Sequence, residues 1–438
     1  MTIKELRLHP QAIADGPLRS SYGLHAPYAL RTIVEVVTTD GITGISETYG
    51  GEKPLAALEA VRQYVVGMDP FDLTRFWQHL HDGADRVVDP SGARSQTMLV
   101  PGENPLDEST RTFAAIEVAC LDAIGQAVGK PLCDLTGGRA RDAAPFSAYL
   151  FYKHAGGGGL GEDTREDKYG ECLSPETIVE QCRRFISEYG FAEIKLKGGV
   201  LDPEIEIDTI RALRSAFGPS FPLRIDPNCA WSVETSVQVG LALREELSGG
   251  GYLEDPCSAL TGMAEVRRRL LAEGISTLFA SNVATTCFAH VPQARDLDAV
   301  QIILSDPHYW GGIRKQKQLS ELCEVLGLGL SMHSNNHLGV SLMTMAHAAC
   351  ASPHLTHACD THYPWQTEID EVVEGGRIHF TNGAVPIPDR PGLGVKLDYD
   401  QLARGVERYH KIPFKKRDDE AEMRKHVDPN WKRVLPRW

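Results

Sequence analysis

From about residue 145 to residue 360 the chain repeats a single unit, a short apolar run followed by a stretch of helical period. The runs read SAYLFY, AEIKLK, PLRIDPN, GYLEDP, TLFASN, AVQIILSD, GLSMHS and THACD. Between them lie DPEIEIDTIRALRSAFG, SVETSVQVGLALREEL, MAEVRRRLLAEG, RKQKQLSELCEVLG and GVSLMTMAHAACA. A further helix is announced by Ser174-Pro175-Glu176, an N-cap followed by proline at the first helical position. Strands joined through helices pair in parallel, and a parallel sheet is covered on both faces. Eight such strands over about 215 residues fit a closed barrel better than an open, doubly wound sheet. The expected class is α/β, with the barrel spanning residues 140–384.

The first 135 residues read differently. TIKELRLHP and ALRTIVEVVTT alternate with the period of a strand, and Asp40-Gly41 is a hairpin signal leading into ITGISET. KPLAALEAVRQYVVGM, DLTRFWQHLHDG and RTFAAIEVACLDAIGQAVG then carry apolar residues at helical spacing. This predicts an α+β domain over residues 1–135. The tail from about residue 385 to 438 is rich in proline and charge, and is expected to fold back and complete that domain.

A net charge of −14 argues against a general nucleic-acid or anionic-membrane partner, since phosphate binding needs a basic face. It leaves room for a small anionic substrate, which senses only its pocket. No run approaches the 18 or so apolar residues that span a bilayer, and MTIKELRLHPQAIADG lacks the apolar centre of a signal peptide. A cytoplasmic location is the expectation. The ten cysteines contain no CxxC, and the nearest pair, Cys350 and Cys359, is nine residues apart. Reduced, buried thiols are expected.

In barrels of this kind the chemistry sits at the carboxyl ends of the strands. Asp226, Glu254 and Asn282 follow three consecutive strands at intervals of 28 residues, about one strand–helix unit. That spacing places three oxygen ligands at one height. Two carboxylates and an amide oxygen suit a hard divalent ion, Mg²⁺ first. Lys195 and Lys197 end the second strand two residues apart and face the same side, into the barrel mouth. Paired ammonium groups near a cation depress each other's protonation and make a lysine a usable base. His333 and Asp306 end the seventh and sixth strands, and a carboxylate beside a histidine fixes its tautomer.

KLKGGV, DPN-x-AW, EDPC, the strand ending in Asn282, DPHYW, HSNNH and DTHYPWQ resemble the enolase superfamily. HSNNH together with DPHYW resembles its glucarate dehydratase family, and the similarity extends to N-terminal HAPYALR and GGEK. The resemblance implies a modified (β/α)7β TIM-like barrel with an N-terminal α+β capping domain. It implies Asp226, Glu254 and Asn282 as Mg²⁺ ligands, and Lys197 and His333 as catalytic bases with Asp306 behind the histidine. It further implies Lys195 and Asn228 near the metal-bound carboxylate and His25 at the distal end of a diacid. Tyr149, Ser334, His362 and Arg417 are similar to other substrate contacts. The expected reaction is Mg²⁺-dependent dehydration of a six-carbon aldarate by a homo-oligomer; the rival readings are another acid sugar or a silent binding protein. Cys229 stands where the family has glycine, and residues 154–170 and 100–108 diverge from its pattern. Within the former, Gly156, Gly158 and Gly161 satisfy GxGxxG, but EDTREDKYG follows instead of an apolar helix, so a loop is expected. His333 and His337 are spaced like a zinc pair, yet SNN after a strand predicts a loop where that pair needs a helix.

Overall fold

The computed structural model describes residues 1–81 and 108–438, so residues 100–107 of the divergent segment lie outside the described residues. Three antiparallel strands, Ile3–Ala14, Tyr28–Thr38 and Thr43–Tyr49, form the N-terminal sheet in that order. The hairpin turns at Asp40-Gly41, where Gly41 takes a φ of 83°. The middle strand is buried at every position but one, where alternation had suggested a half-buried sheet. Helix Glu108–Val128 packs on this sheet, and helix Tyr399–Lys411 of the tail packs on its first strand. Gln11 Nε2 donates to Leu402 O at 3.2 Å and Arg408 Nη1 to Ala12 O at 2.8 Å. The buried Glu35 carboxylate accepts from Tyr399 Oη at 2.6 Å and meets His9 Nε2 at 2.7 Å.

Seven parallel strands form the second sheet: Ala148–Phe151, Ile194–Lys197, Leu223–Asp226, Tyr252–Glu254, Leu278–Ser281, Ile302–Ser305 and Gly329–Met332. A helix follows each, from Pro175–Tyr189 after the first to Gly339–Ala351 after the seventh. Ser174 caps the first of these helices, its side chain accepting from Thr177 N, with proline at the first helical position. The eighth run, THACD, closes the ring. Thr356 N and His357 N donate to Leu330 O, Asp360 N to Met332 O, Cys359 N to Pro145 O, and Ser147 N to Cys359 O. The segment therefore bridges the seventh strand and the approach to the first, giving a modified (β/α)7β barrel. All ten cysteines are free thiols, nine of them buried. Among the described residues no helix is long and apolar enough to cross a membrane.

Carboxylates of the N-terminal part dock it onto the barrel by taking up helix N-termini, which present unpaired N–H groups. Glu47 accepts from Leu338 N and Ser341 N at 2.9 and 2.8 Å, at the start of the seventh helix. Glu117 accepts from Ile313 N at 2.9 Å and Arg314 N at 3.2 Å, at the start of the sixth. A Cβ on Gly312 would lie 2.0 Å from Glu117 Oε2, so only glycine leaves room for this contact.

Burial, opposed by Arg314 and those N–H groups, pushes Glu117 up to about 7 from 4.5. The folded chain thus holds a proton that the unfolded chain releases between those values. The stability contributed by this group is complete below pH 4.5 and falls as pH rises to about 7. Glu117→Gln, which carries no titrating proton, is expected to gain relative to wild type over that interval, by on the order of 3 kcal/mol at most. Urea unfolding at pH 4.5 and pH 7.5 checks this; an equal stability difference at both values excludes it.

Candidate active site

The second, third and fourth strands meet in register at their carboxyl ends. Lys197 pairs with Asp226, and Leu253 with Ile225, which puts Glu254 level with Asp226. The fifth strand is staggered: Glu254 pairs with Ala280, so Asn282 sits two residues further along. The equal 28-residue spacing does not place all three at one height, because strand stagger accompanies barrel closure. Asn282 reaches back with its side chain.

The cluster is wholly buried. Lys197 Nζ donates to Asp226 Oδ2 at 2.6 Å. Lys195 Nζ donates to Glu254 Oε1 at 2.7 Å and Asp360 Oδ2 at 2.6 Å, and lies 3.4 Å from Asp226 Oδ2. Tyr149 Oη donates to Asp226 Oδ2 at 3.4 Å, and its ring centre is 4.7 Å from Lys195 Nζ. Lys195 stands among opposite charges. Burial opposes its charge, but Asp360 and Glu254 outweigh burial and hold its pKa well above the ordinary lysine range. Asp226 is lowered: burial would raise it, but Lys197 and Lys195 prevail. Glu254 is pushed well up, by burial and then by Asp226.

These donors fit a hard divalent cation. Asp226 is oriented by Asn228, whose N and Nδ2 donate to Oδ1 at 3.1 and 3.0 Å. Asn282 directs its amide oxygen toward the carboxylate oxygens of Asp255 and Glu254 and its amide nitrogen toward His333 Nε2. A cation between these oxygens would satisfy that arrangement; turned about, the amide would instead donate to Asp255 Oδ2 at 3.0 Å and Glu254 Oε1 at 3.3 Å and accept from His333 Nε2 at 3.2 Å. Among the described residues no three His, Cys, Asp or Glu side chains group as a metal site; the amide of Asn282 stands beside the Glu254 carboxylate.

His333 Nδ1 meets Asp306 Oδ2 at 3.1 Å, leaving Nε2 toward Asn282. Asp306 is lowered, burial being outweighed by His308 and His333. His337 lies in the loop before the seventh helix, its Nε2 3.2 Å from Thr361 Oγ1 and its Nδ1 3.1 Å from Leu338 O.

A second group continues from this mouth. His362 packs edge-on to Tyr149 at 4.9 Å and stacks with His25 at 6.5 Å. Ser334 Oγ accepts from His362 N at 3.1 Å. Burial, then Arg417, holds His25 well below the ordinary histidine range, so it is a neutral ring. His25 Nδ1 and Asp15 Oδ2 are buried without a hydrogen bond, 3.6 Å apart. Arg417 Nε pairs with Asp419 Oδ1 at 2.6 Å, and its Nη1 donates to Asn336 Oδ1 at 3.3 Å. Asp15, pushed to about 7 by burial against the pull of Arg417, accepts from Asn336 Nδ2 at 2.9 Å.

The thirteen sequence-derived residues therefore lie in two adjoining groups. Asp360, Asp255, His308, Tyr49, Asp15 and Asp419 were missed. Asp360 closes the eighth run, a strand-end signal like those used for the others. The glycine-rich segment 154–170 is a loop packed on the N-terminal part. Cβ atoms on Gly157, Gly158 and Gly159 would meet backbone oxygens of Arg165, Asp15 and Asp163 at 2.2, 2.3 and 2.1 Å. Its glycines serve close packing, and only a single 3₁₀ turn, Gly161–Asp163, follows them in the loop.

A family model described as the mandelate racemase / muconate lactonizing enzyme N-terminal domain matches residues 5–137, and one described as enolase C-terminal domain-like matches residues 177–401. A probable glucarate dehydratase of Streptomyces coelicolor is 44% identical over 445 residues, covering 100% of this chain and 99% of that protein. A D-xylonate dehydratase of Haloferax volcanii is 26% identical, over 84% of each chain. A solved enolase of Thermobispora bispora, complexed with magnesium and formate, matches with TM-score 0.89 and 46% identity over 100% of both chains. One from Pseudomonas fluorescens with bound magnesium, potassium and tartrate matches with TM-score 0.88 and 41% identity, over 100% of this chain and 99% of that one. With both halves matched, the chain belongs to the enolase superfamily, as a hydro-lyase homologous to glucarate dehydratase.

Proposed function

We propose that the enzyme dehydrates a six-carbon aldarate, D-glucarate and its epimer L-idarate, to 5-dehydro-4-deoxy-D-glucarate, with Mg²⁺ as cofactor. The observation that carries this reading is one buried mouth flanked by Lys197, 2.6 Å from Asp226, and by His333, 3.1 Å from Asp306. Bound by Asp226, Glu254 and Asn282, Mg²⁺ would withdraw charge from the substrate carboxylate and acidify the neighbouring C–H. Lys197 or His333 removes that α-proton. Lys195, fixed by Glu254 and Asp360, keeps an ammonium where negative charge develops. His333, protonated at Nε2, gives its proton to the departing β-hydroxyl, and the enol tautomerises to the keto acid. Bases on both faces also allow D-glucarate and L-idarate to interconvert.

In this reading His25 and Arg417 receive the distal carboxylate. His25 donates as a neutral ring, and its loss is expected to raise KM for a diacid by about 10- to 150-fold, from roughly 1.5–3 kcal/mol for a hydrogen bond to a charged group. A monoacid should feel much less. The second reading, elimination from a monoacid, is favoured by Arg417 already pairing with Asp419. A panel of aldarates and aldonates, assayed for keto-deoxy acid with wild type and His25→Ala, separates the two. Equal KM effects on both substrate classes exclude the distal-carboxylate assignment; preferential turnover of an aldonate favours the second reading.

A further inference from the structure

Asp306 is shared between two imidazoles. Its Oδ2 takes His333 Nδ1 and the hydroxyl of Tyr49, both at 3.1 Å. Its Oδ1 takes the backbone N–H of His308 at 2.8 Å and His308 Nδ1 at 2.5 Å. The far side of the His308 ring is also engaged, with Nε2 2.8 Å from Ser341 Oγ at the start of the seventh helix. An ionised carboxylate only accepts, so Nδ1 of His308 carries the proton it shares with Asp306, while the Ser341 hydroxyl holds Nε2. His308 is buried, and its ring packs edge-on to Tyr49 at 5.9 Å. A carboxylate held at one oxygen can turn about its terminal torsion, which is broad and soft. At Oδ1 the backbone N–H alone is the longer hold and the His308 ring adds a second, shorter one; with both in place the carboxylate keeps one orientation, and His333 Nδ1 has one place to donate.

We propose that His308 is a positioning residue, which locks Asp306 through Nδ1 so that His333, not Lys197, is kept in working geometry. The proposal rests on the reading of His333 as an acid–base group. It does not make His308 touch the substrate. Its consequence is selective: removing His308 disables the face served by His333 and spares the face served by Lys197. A defect in folding or in substrate binding would reduce both.

The test follows α-proton exchange in D₂O by NMR, with each epimer separately, in the Mg²⁺-supplemented full-length enzyme. His308→Phe keeps a buried ring and removes both nitrogens. It is expected to lose about 10- to 100-fold in exchange of the epimer facing His333 and in dehydration, the scale for misplacing a catalytic group by up to an ångström. Exchange of the epimer facing Lys197, and KM, should stay within about twofold. His308→Asn places a donor near the Nδ1 position and should restore most of the loss; His308→Gln places one near Nε2 and should not. If His308→Phe does not fold, the Asn and Gln pair carries the same comparison. Equal loss on both faces, no loss on either, or equal behaviour of Asn and Gln overturns the proposal. His333→Asn runs alongside: if it leaves its own face active, the reading of His333 is what has failed, independently of His308.

Discussion

In D₂O the Lys197→Ala enzyme is expected to stop incorporating deuterium into one epimer while still exchanging the other, and His333→Asn is expected to do the reverse. Lys197 ends the second barrel strand and His333 follows the seventh, with the first strand and the closing eighth run between them. Each is fixed by its own carboxylate, Asp226 for the lysine and Asp306 for the histidine. On the proposed mechanism, a substrate held between them presents opposite faces of one carbon. His333→Asn should in addition block dehydration of both epimers, because the hydroxyl then leaves without an acid. General acid catalysis supplies about 10²–10⁴-fold, so the loss is far above assay noise. Wash-in of deuterium measured one epimer at a time decides the matter. Dehydration near the wild-type rate by His333→Asn removes the acid assignment, and normal exchange of both epimers by either variant removes the two-face arrangement.

Chelation with EDTA is expected to abolish turnover, and Mg²⁺ alone to restore it. The cause lies in the buried cluster: Glu254 is held up by burial and by Asp226, and the amide of Asn282 stands 3.3 Å from its carboxylate. A cation relieves both. Glu254→Gln keeps the shape and removes a charged ligand, and should weaken Mg²⁺ binding by about 10- to 150-fold, taking roughly 1.5–3 kcal/mol for the lost charged contact. Calorimetric titration of the metal-stripped protein with MgCl₂ measures this without reference to activity. Unchanged turnover after stripping, or unchanged affinity in Glu254→Gln, rejects the site.

The barrel was legible because a parallel sheet imposes a coarse rhythm, and strand ends can be read off the residue that breaks each apolar run. The structure places Lys197, Asp226 and Glu254 at strand ends and His333 one residue past another, where that reading put them. Height around the ring was not legible, since the stagger that sets Asn282 two residues beyond Glu254's partner depends on closure. The Asp360 partner of Lys195 was not legible, because it comes from the eighth run, far along the chain. His308 lies two residues from Asp306 inside a motif already noticed, but its ring could belong to a core as readily as to a site. Asp15 and Asp419 flank His25 and Arg417 from opposite ends of the sequence, and no local pattern joins them. Cys229 has a physical meaning only in the fold: its φ of 60° is the left-handed region, which glycine occupies without strain and cysteine at about 1 kcal/mol.

The docking of the N-terminal sheet bears on how such enzymes can be recombined. Tyr49 reaches Asp306, and Glu47 seats the N-terminus of the helix that carries Ser341, the partner of His308. Grafting the first 135 residues from a relative, to import its preference for a different acid sugar, would also exchange the groups that steady the acid of the elimination. A chimaera is therefore expected to change its maximal rate together with its selectivity unless the residues at positions 47 and 49 are kept. On the proposed roles of His333 and His25, substrate choice and chemical competence are inherited together, and a library that shuffles the two parts freely is expected to lose members at the chemical step.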